Sequence, residues 1–303
     1  MRIAHLSDLH VLSRTGAQWR RIIFNKRITG YANLVMRRAR VHRREYLLAV
    51  LADAAAGADH LVVTGDITNL ALEHEYEEAR AMLDEAARRV EVTVVPGNHD
   101  IYLPSTHRHR RFAHHFAPFL RSDLPQLACD LPAGPFPCVK LRGAAAIIGL
   151  SSGVPRPPFV SAGYLGRTQL DALAQVLAHP EVQRRTPVVL VHHPPLDSRP
   201  RLLQLRDGLV DAPSLRRELA ALSRGLVLFG HLHVRLRARL PTRAGELEAI
   251  GASGGALDHP DPSVRAGWNR YELDEQGGVR SVEARVIDPA TQRLQPVAIG
   301  TAH

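Results

Sequence analysis

Cysteine is nearly absent. Cys129 and Cys138 are the only two in 303 residues, too few for a disulfide framework or a thiolate metal site. Both are read as ordinary small side chains in a reducing compartment. Lysine is scarce as well, since Lys26 and Lys140 are the only lysines among 39 cationic residues. A net charge of +9 would suit a polyanionic partner. An arginine- and alanine-rich chain carries the same signature when its genome is GC-rich, so charge alone assigns no partner. Aromatic residues make up 5% and offer few platforms for stacked bases. No helix-turn-helix, zinc-finger or RNA-binding signature accompanies them, which sets a nucleic-acid partner aside. No apolar run approaches the roughly 18 to 20 residues of a membrane span. The first residues, "MRIAHLSDLH", lack the pattern of a secretory signal, so a cytoplasmic location is the expectation.

What is present is a chain with ordinary core content, 45% hydrophobic, long enough for one large domain or two modest ones. Short β-branched runs recur at 2–6, 60–65, 90–97, 145–152, 187–193 and 225–230, each followed by a turn or a helical pattern. Strands alternating with helices imply an α/β sheet covered on both faces. Residues 72–89 are rich in helix formers, and 166–180 place Leu170, Leu173 and Leu177 at three- and four-residue spacing, so both are expected as covering helices. From about 233 to 290 the pattern changes to strands joined by turns, read as consecutive antiparallel strands at the edge of a second sheet. No linker divides the chain, so a single domain over 1–303 is expected.

Nearly every expected strand ends on a residue that binds metals: Asp8 and His10, Asp66, Asn98 and His99, His192 and His193, His231 and His233. Ligands bind outside the carboxyl ends of strands in open α/β sheets. Carboxylate, carboxamide and imidazole together favour Mn, Fe or Zn, and about seven ligands suit two ions better than one. His5 falls inside the first strand and is assigned to core packing.

The blocks "SDLH", "GDIT", "GNHD", "VHHPP" and "GHLH", in this order, resemble those of the calcineurin-like metallophosphoesterases over residues 1 to about 235. The resemblance implies the four-layer αββα sandwich of that family, two mixed β-sheets flanked by helices. It implies that Asp8, His10 and His233 hold one metal, that Asn98, His192 and His231 hold the other, and that Asp66 bridges them. The two ions, divalent or mixed-valence, would supply a metal-bound hydroxide to attack a phosphoester. His99 is assigned as the catalytic acid, with Asp100 orienting its ring. His193 is left between substrate contact and a place behind the ligands. The aspartate that often stands three residues after the bridging one is Asn69 here, which puts in doubt a supporting carboxylate there.

"VHHPP" with "SDLH" and "VPGNHD" looks most like the branch containing bacterial class III cyclic-nucleotide phosphodiesterases, which makes a small-molecule phosphodiester the expected substrate. Specificity should reside in loops. A basic helical insertion at about 15–45 stands out, with Phe24, Ile28, Tyr31 and Val35 on one face and arginines around it. Residues 18–44 could therefore lie on an anionic membrane at its inner face, or pack on the body with solvated arginines. A second basic run, 107–120, places Phe112, Phe116 and Phe119 at core-helix spacing. The alternative substrate is a nucleotide-activated acyl sugar whose pyrophosphate is cleaved, as by UDP-diacylglucosamine hydrolases. A non-catalytic binding scaffold is the alternative of another class, and a nuclease ranks third. Nothing in these blocks bears on oligomeric state.

Overall fold

The computed structural model describes residues 1–11 and 42–301. The apolar stripe from Phe24 to Val35 lies outside the described residues. Two six-stranded mixed sheets form the centre. In the first, β1 (Arg2–Leu6), β2 (His60–Val63) and β3 (Glu91–Val94) run parallel, and β12 (Gly267–Leu273), β13 (Val279–Ile287) and β14 (Leu294–Val297) extend it antiparallel from β1. In the second, β7 (Ala145–Gly149), β8 (Thr186–Leu190), β9 (Leu226–Phe229) and β11 (Glu246–Gly251) run parallel, with antiparallel β6 (Cys138–Arg142) and β10 (Leu236–Pro241) at its edges. A separate ribbon pairs β4 (Cys129–Leu131) with β5 (Gly134–Phe136).

Period-two alternation separates the layers. Along β8 and β9, Val188, Leu190, Leu226 and Leu228 face the first sheet's core, whereas Val189, Val191, Val227 and Phe229 join the opposite cluster. Helices α1 (Arg44–Gly57) and α2 (Glu73–Ala87) cover the first sheet, and α3 (Arg167–Ala178) covers the second. After α4 (Arg201–Asp207), α5 (Ala212–Leu219) completes the outer layer by burying Leu215 and Leu219. In α1 the buried Tyr46, Leu47, Val50, Leu51, Ala54 and Ala55 form the stripe a helix must present to a sheet. The result is the four-layer αββα sandwich.

The C-terminal strands depart from the sequence reading. They divide between the two sheets, β10 and β11 in one and β12 to β14 in the other, and β11 runs parallel to β9. The physical reason is the long connection from Gly251 to Gly267, which carries the chain across from one sheet to the other.

Two strand histidines are sealed in this core. His5 is held between the Tyr271 hydroxyl at 2.9 Å and the Thr64 hydroxyl at 2.8 Å, which places it in packing, away from ligation. His60 meets Thr93 Oγ1 at 2.9 Å. Burial lowers His5 to about 3 and His60 to about 4. Both rings therefore stay neutral in the fold but take up protons when it opens, so their contribution is complete above about pH 6.5 and lost as pH falls toward 4. Each should add a slope of about 1.4 kcal/mol per pH unit across that window. Urea midpoints measured from pH 7 to 4.5 should fall less steeply in His60→Gln than in the parent, and equal slopes would show that the ring titrates alike in both states.

Candidate metal centre

The parallel strands β1, β2 and β3 and their counterparts β8 and β9 deliver their carboxyl ends to one crevice. Beyond the strands the chain stays in register, with Asp8 N–H on the Gly65 carbonyl and His10 N–H on that of Asp66, both 2.9 Å. Asp8, His10, Asp66, His231 and His233 all adopt left-handed backbone, with φ of 52°, 44°, 50°, 67° and 55°. Such conformations are uncommon outside glycine and cluster at functional sites. Close approach is provided by Gly97 and Gly230: a Cβ on the first would stand 2.1 Å from Asp66 Oδ1, and on the second 1.8 Å from Ser7 Oγ.

One group consists of Asp8, His10 and His233. His233 Nε2 lies 3.0 Å from Asp8 Oδ1 and 3.2 Å from His10 Nε2. Asp8 Oδ2 accepts the His231 N–H at 3.1 Å, while the buried Oδ1 accepts no hydrogen bond. Asp66 sits between this group and the next, with His10 Nε2 4.0 Å from one carboxylate oxygen and His192 Nε2 3.4 Å from the other. Burial by itself would raise the Asp66 carboxyl, but the charges of His192, His99 and His10 outweigh it and hold the group well below the usual range.

The second group decides what the crevice is built for. His192 Nδ1–H donates to the Thr64 carbonyl at 2.7 Å, and His231 Nε2–H donates to that of Asp207 at 2.6 Å. With those tautomers fixed, the lone pairs of His192 Nε2 and His231 Nδ1 face Asn98 Oδ1 at 3.2 and 3.1 Å, and that oxygen is itself an acceptor. Without cations the conflict is met by a proton on His192, pushed up to about 9: burial opposes this, but the Asp66 carboxylate prevails. His231 is pushed down to about 4 by burial and by His192. Convergent nitrogen and oxygen lone pairs, a buried carboxylate oxygen without a donor and no thiolate match the donor set of Mn, Fe or Zn.

His99 flanks this centre. Its Nδ1–H donates to the Asn69 carbonyl at 2.5 Å, its ring stacks on Tyr102, and its Nε2 lies 4.0 Å from Asp66 Oδ2. Because the backbone of Asn69 orients the ring, the amide in place of an aspartate side chain costs this contact nothing. Asp100, expected to orient His99, does something else. Its carboxylate accepts from Ile67 N–H, Thr68 N–H, the Thr68 hydroxyl and Gly97 N–H at 2.8 to 3.2 Å, tying the loop after β2 to the loop after β3. Neighbours in sequence diverge here. Removing the knot in Asp100→Ala leaves three buried N–H groups unpaired and should lower stability by roughly 3 kcal/mol, read as a drop in Tm; an unchanged Tm would show that the loops hold without it.

His193 also stands behind the ligands. Its Nε2–H donates to the Ser161 carbonyl and its Nδ1 accepts from the Ser152 hydroxyl, both at 2.8 Å, so no lone pair is left for a metal. Burial and the adjacent His231 and His192 hold it neutral. The carbonyls of Thr64, Asn69, Ser161 and Asp207 set every one of these tautomers, and sequence reasoning missed them because main-chain groups leave no residue signal.

At the described end of the basic insertion, Arg43 pairs with Asp258 at 2.6 Å and Arg44 with Glu78 at 2.9 Å. His42 sets its ring edge-on to His10, centroids 5.4 Å apart. In the second basic run Phe112, Phe116 and Phe119 are buried, and Arg111 and His115 both pair with Glu73, so this run is cover for the first sheet. Cys138 is buried with its thiol on the Leu120 and Arg121 carbonyls.

Residues 1–235 match the calcineurin-like phosphoesterase (Metallophos) profile. Among solved structures, a dimetal phosphatase from Danio rerio superposes with a TM-score of 0.56 at 15% identity, covering 99% of both chains. The purple acid phosphatase PPD1 of yellow lupin (Lupinus luteus) seeds gives 0.61 at 10% identity, covering all of this chain and 54% of the plant enzyme. The sulfate thiohydrolase SoxB of Thermus thermophilus gives 0.51 at 16% identity over 97% of this chain and 58% of its own. These likenesses show a shared fold. The chain thus spans little more than half the length of the last two. No curated protein sequence matches significantly.

Proposed function

The chain belongs to the calcineurin-like phosphoesterase family, whose members act through a dinuclear metal centre, and from that premise we propose that this phosphoester hydrolase cleaves phosphodiesters, cyclic nucleotides among them. The observation that supports it most is the convergence of His192 Nε2, His231 Nδ1 and Asn98 Oδ1 on one point, with the other nitrogen of each ring held by a backbone carbonyl. We assign Asp8, His10 and His233 to one cation, Asn98, His192 and His231 to the other, and Asp66 to both. When bound, such a pair supplies Lewis acidity and an activated water at neutral pH.

The chain's own side chains supply the remainder. Asp66 offsets the charge of the surrounding imidazoles and accepts the His99 N–H at 2.7 Å, fixing the loop from which His99 projects. With Nδ1–H held by Asn69, the Nε2 of His99 is the atom that carries a proton to the leaving oxygen. A diester with an alkyl leaving group needs that proton, because an alkoxide departs slowly by itself. On this reading residues 1–303 act as one domain, since both ends of the chain contribute to the sheet containing β1.

A second substrate, the pyrophosphate of a nucleotide-activated acyl sugar, is favoured by the arginine-rich run that ends at Arg43 and Arg44, because positive charge suits an anionic, lipid-linked substrate. Phosphorus NMR of products separates the two. The Mn²⁺-loaded protein is given a cyclic nucleotide, an open-chain diester, a monoester and the acyl-sugar nucleotide together. Preferential loss of the first two supports the proposal, loss of the last alone transfers it to the lipid-linked substrate, and preference for the monoester overturns both.

A further inference from the structure

Among the described residues, five of the six exposed large hydrophobic side chains, Phe159, Tyr164, Leu202, Leu205 and Val210, fall on two short segments. The segments are laced together through their backbones. Ser161 and Ala162 donate to the Arg206 carbonyl, Gly163 donates to Gly208, and Val210 donates to Gly163, at 2.8 to 3.1 Å. Helix α4 contains three leucines in seven residues and buries none of its side chains. A helix this short is not stable by itself, so the lacing holds an apolar face outward that the core does not use. Phe159 and Leu202 are 80% and 81% exposed.

Charge on this face has one sign outward. Arg201 and Arg206 flank the leucines and are exposed. The nearby carboxylates turn inward, Asp197 and Asp207 being held by Arg199 at 2.7 and 2.9 Å, although Asp207 also reaches Arg206 at 3.0 Å. The same two segments hold the metal centre from behind, through the Asp207 carbonyl on His231 and the Ser161 carbonyl on His193.

We propose that Phe159, Leu202 and Leu205, flanked by Arg201 and Arg206, form a contact platform for an anionic lipid bilayer, bringing the metal centre to phosphoesters held at that surface. Apolar side chains that enter the boundary of the acyl region, beside arginines at headgroup level, are what such a surface binds. A second copy of this chain fits less well, because two-fold pairing would set Arg201 and Arg206 against their own equivalents. The platform is built from residues other than 18–44. It rests on the hydrolase reading for its purpose, not for the contact itself.

The test uses the full-length, metal-loaded protein and phosphatidylcholine vesicles with and without phosphatidylglycerol. The parent should float with the anionic vesicles. Leu202→Ser with Leu205→Ser, and separately Phe159→Ser, should weaken partitioning roughly 10-fold or more. Arg201→Gln with Arg206→Gln should remove the preference for anionic lipid, and Phe159→Trp should gain a blue-shifted emission on vesicles that the parent lacks. Hydrolysis of soluble bis(p-nitrophenyl) phosphate, followed in parallel, should be unchanged in the leucine and Phe159 variants. A parent that does not float, variants that float equally, or a concentration-dependent dimer lost in the same variants would each overturn the platform. Vesicle binding without diester hydrolysis would instead overturn the function and leave the platform standing.

Discussion

Asp66→Ala is expected to lose both cations and roughly 10³- to 10⁵-fold in turnover, since several kcal/mol of Lewis-acid stabilisation depends on them. No other residue of the centre touches so much. Its two carboxylate oxygens lie within 4.0 Å of ring nitrogens from His10, His99 and His192, and one of them accepts the His99 N–H. Without that negative charge, three imidazoles and two dications would repel one another across a crevice in which Asp66 itself is 2% exposed. The isosteric Asp66→Asn keeps the shape and removes only the charge. It should therefore retain the fold, measured by Tm, while losing metal, measured by elemental analysis after desalting. Full metal content with undiminished diester hydrolysis in Asp66→Asn would remove Asp66 from the shared position. In cells the same variant separates an enzyme from a scaffold: a function untouched by it would belong to a non-catalytic binding protein.

The site was legible because its side chains stand where strands end, and strand ends can be read from β-branched runs followed by polar residues. Once β1, β2, β3, β8 and β9 were placed, Asp8, Asp66, Asn98, His192 and His231 followed as neighbours in space. Four strands escape the sequence reading, β4, β5, β6 and β14, and proline interrupts two of them. β5 carries Pro135 and β14 carries Pro296, and both lie where a missing N–H is tolerated, in a two-stranded ribbon and at a sheet edge. Helix α4 was missed for the opposite reason: it has no buried stripe, so its periodicity points to no core. Asp100 shows a different limit. Being next to His99 in sequence suggested a contact, but contact is set by side-chain direction, and its carboxylate turned instead to the backbone of Ile67, Thr68 and Gly97.

His99→Gln should behave unlike Asp66→Ala in a way that identifies its role. His99 is tied to a backbone carbonyl on one side and faces the crevice on the other, 15% exposed, a position suited to handing over a proton. If it protonates the leaving oxygen, the variant keeps its full metal content while turnover of an alkyl diester falls by roughly 10²- to 10⁴-fold. The loss should shrink when the leaving group is p-nitrophenolate, which departs without a proton, so the ratio of the two losses reports on the acid rather than on binding. Rates with both substrates are compared with metal content on the same preparations. Equal losses for both leaving groups would make His99 an electrostatic contact to the phosphoryl group. Metal loss matching that of Asp66→Ala would make it a ligand, consistent with its reach to the same point as His10 and Asp66, and would return the acid's role to another residue.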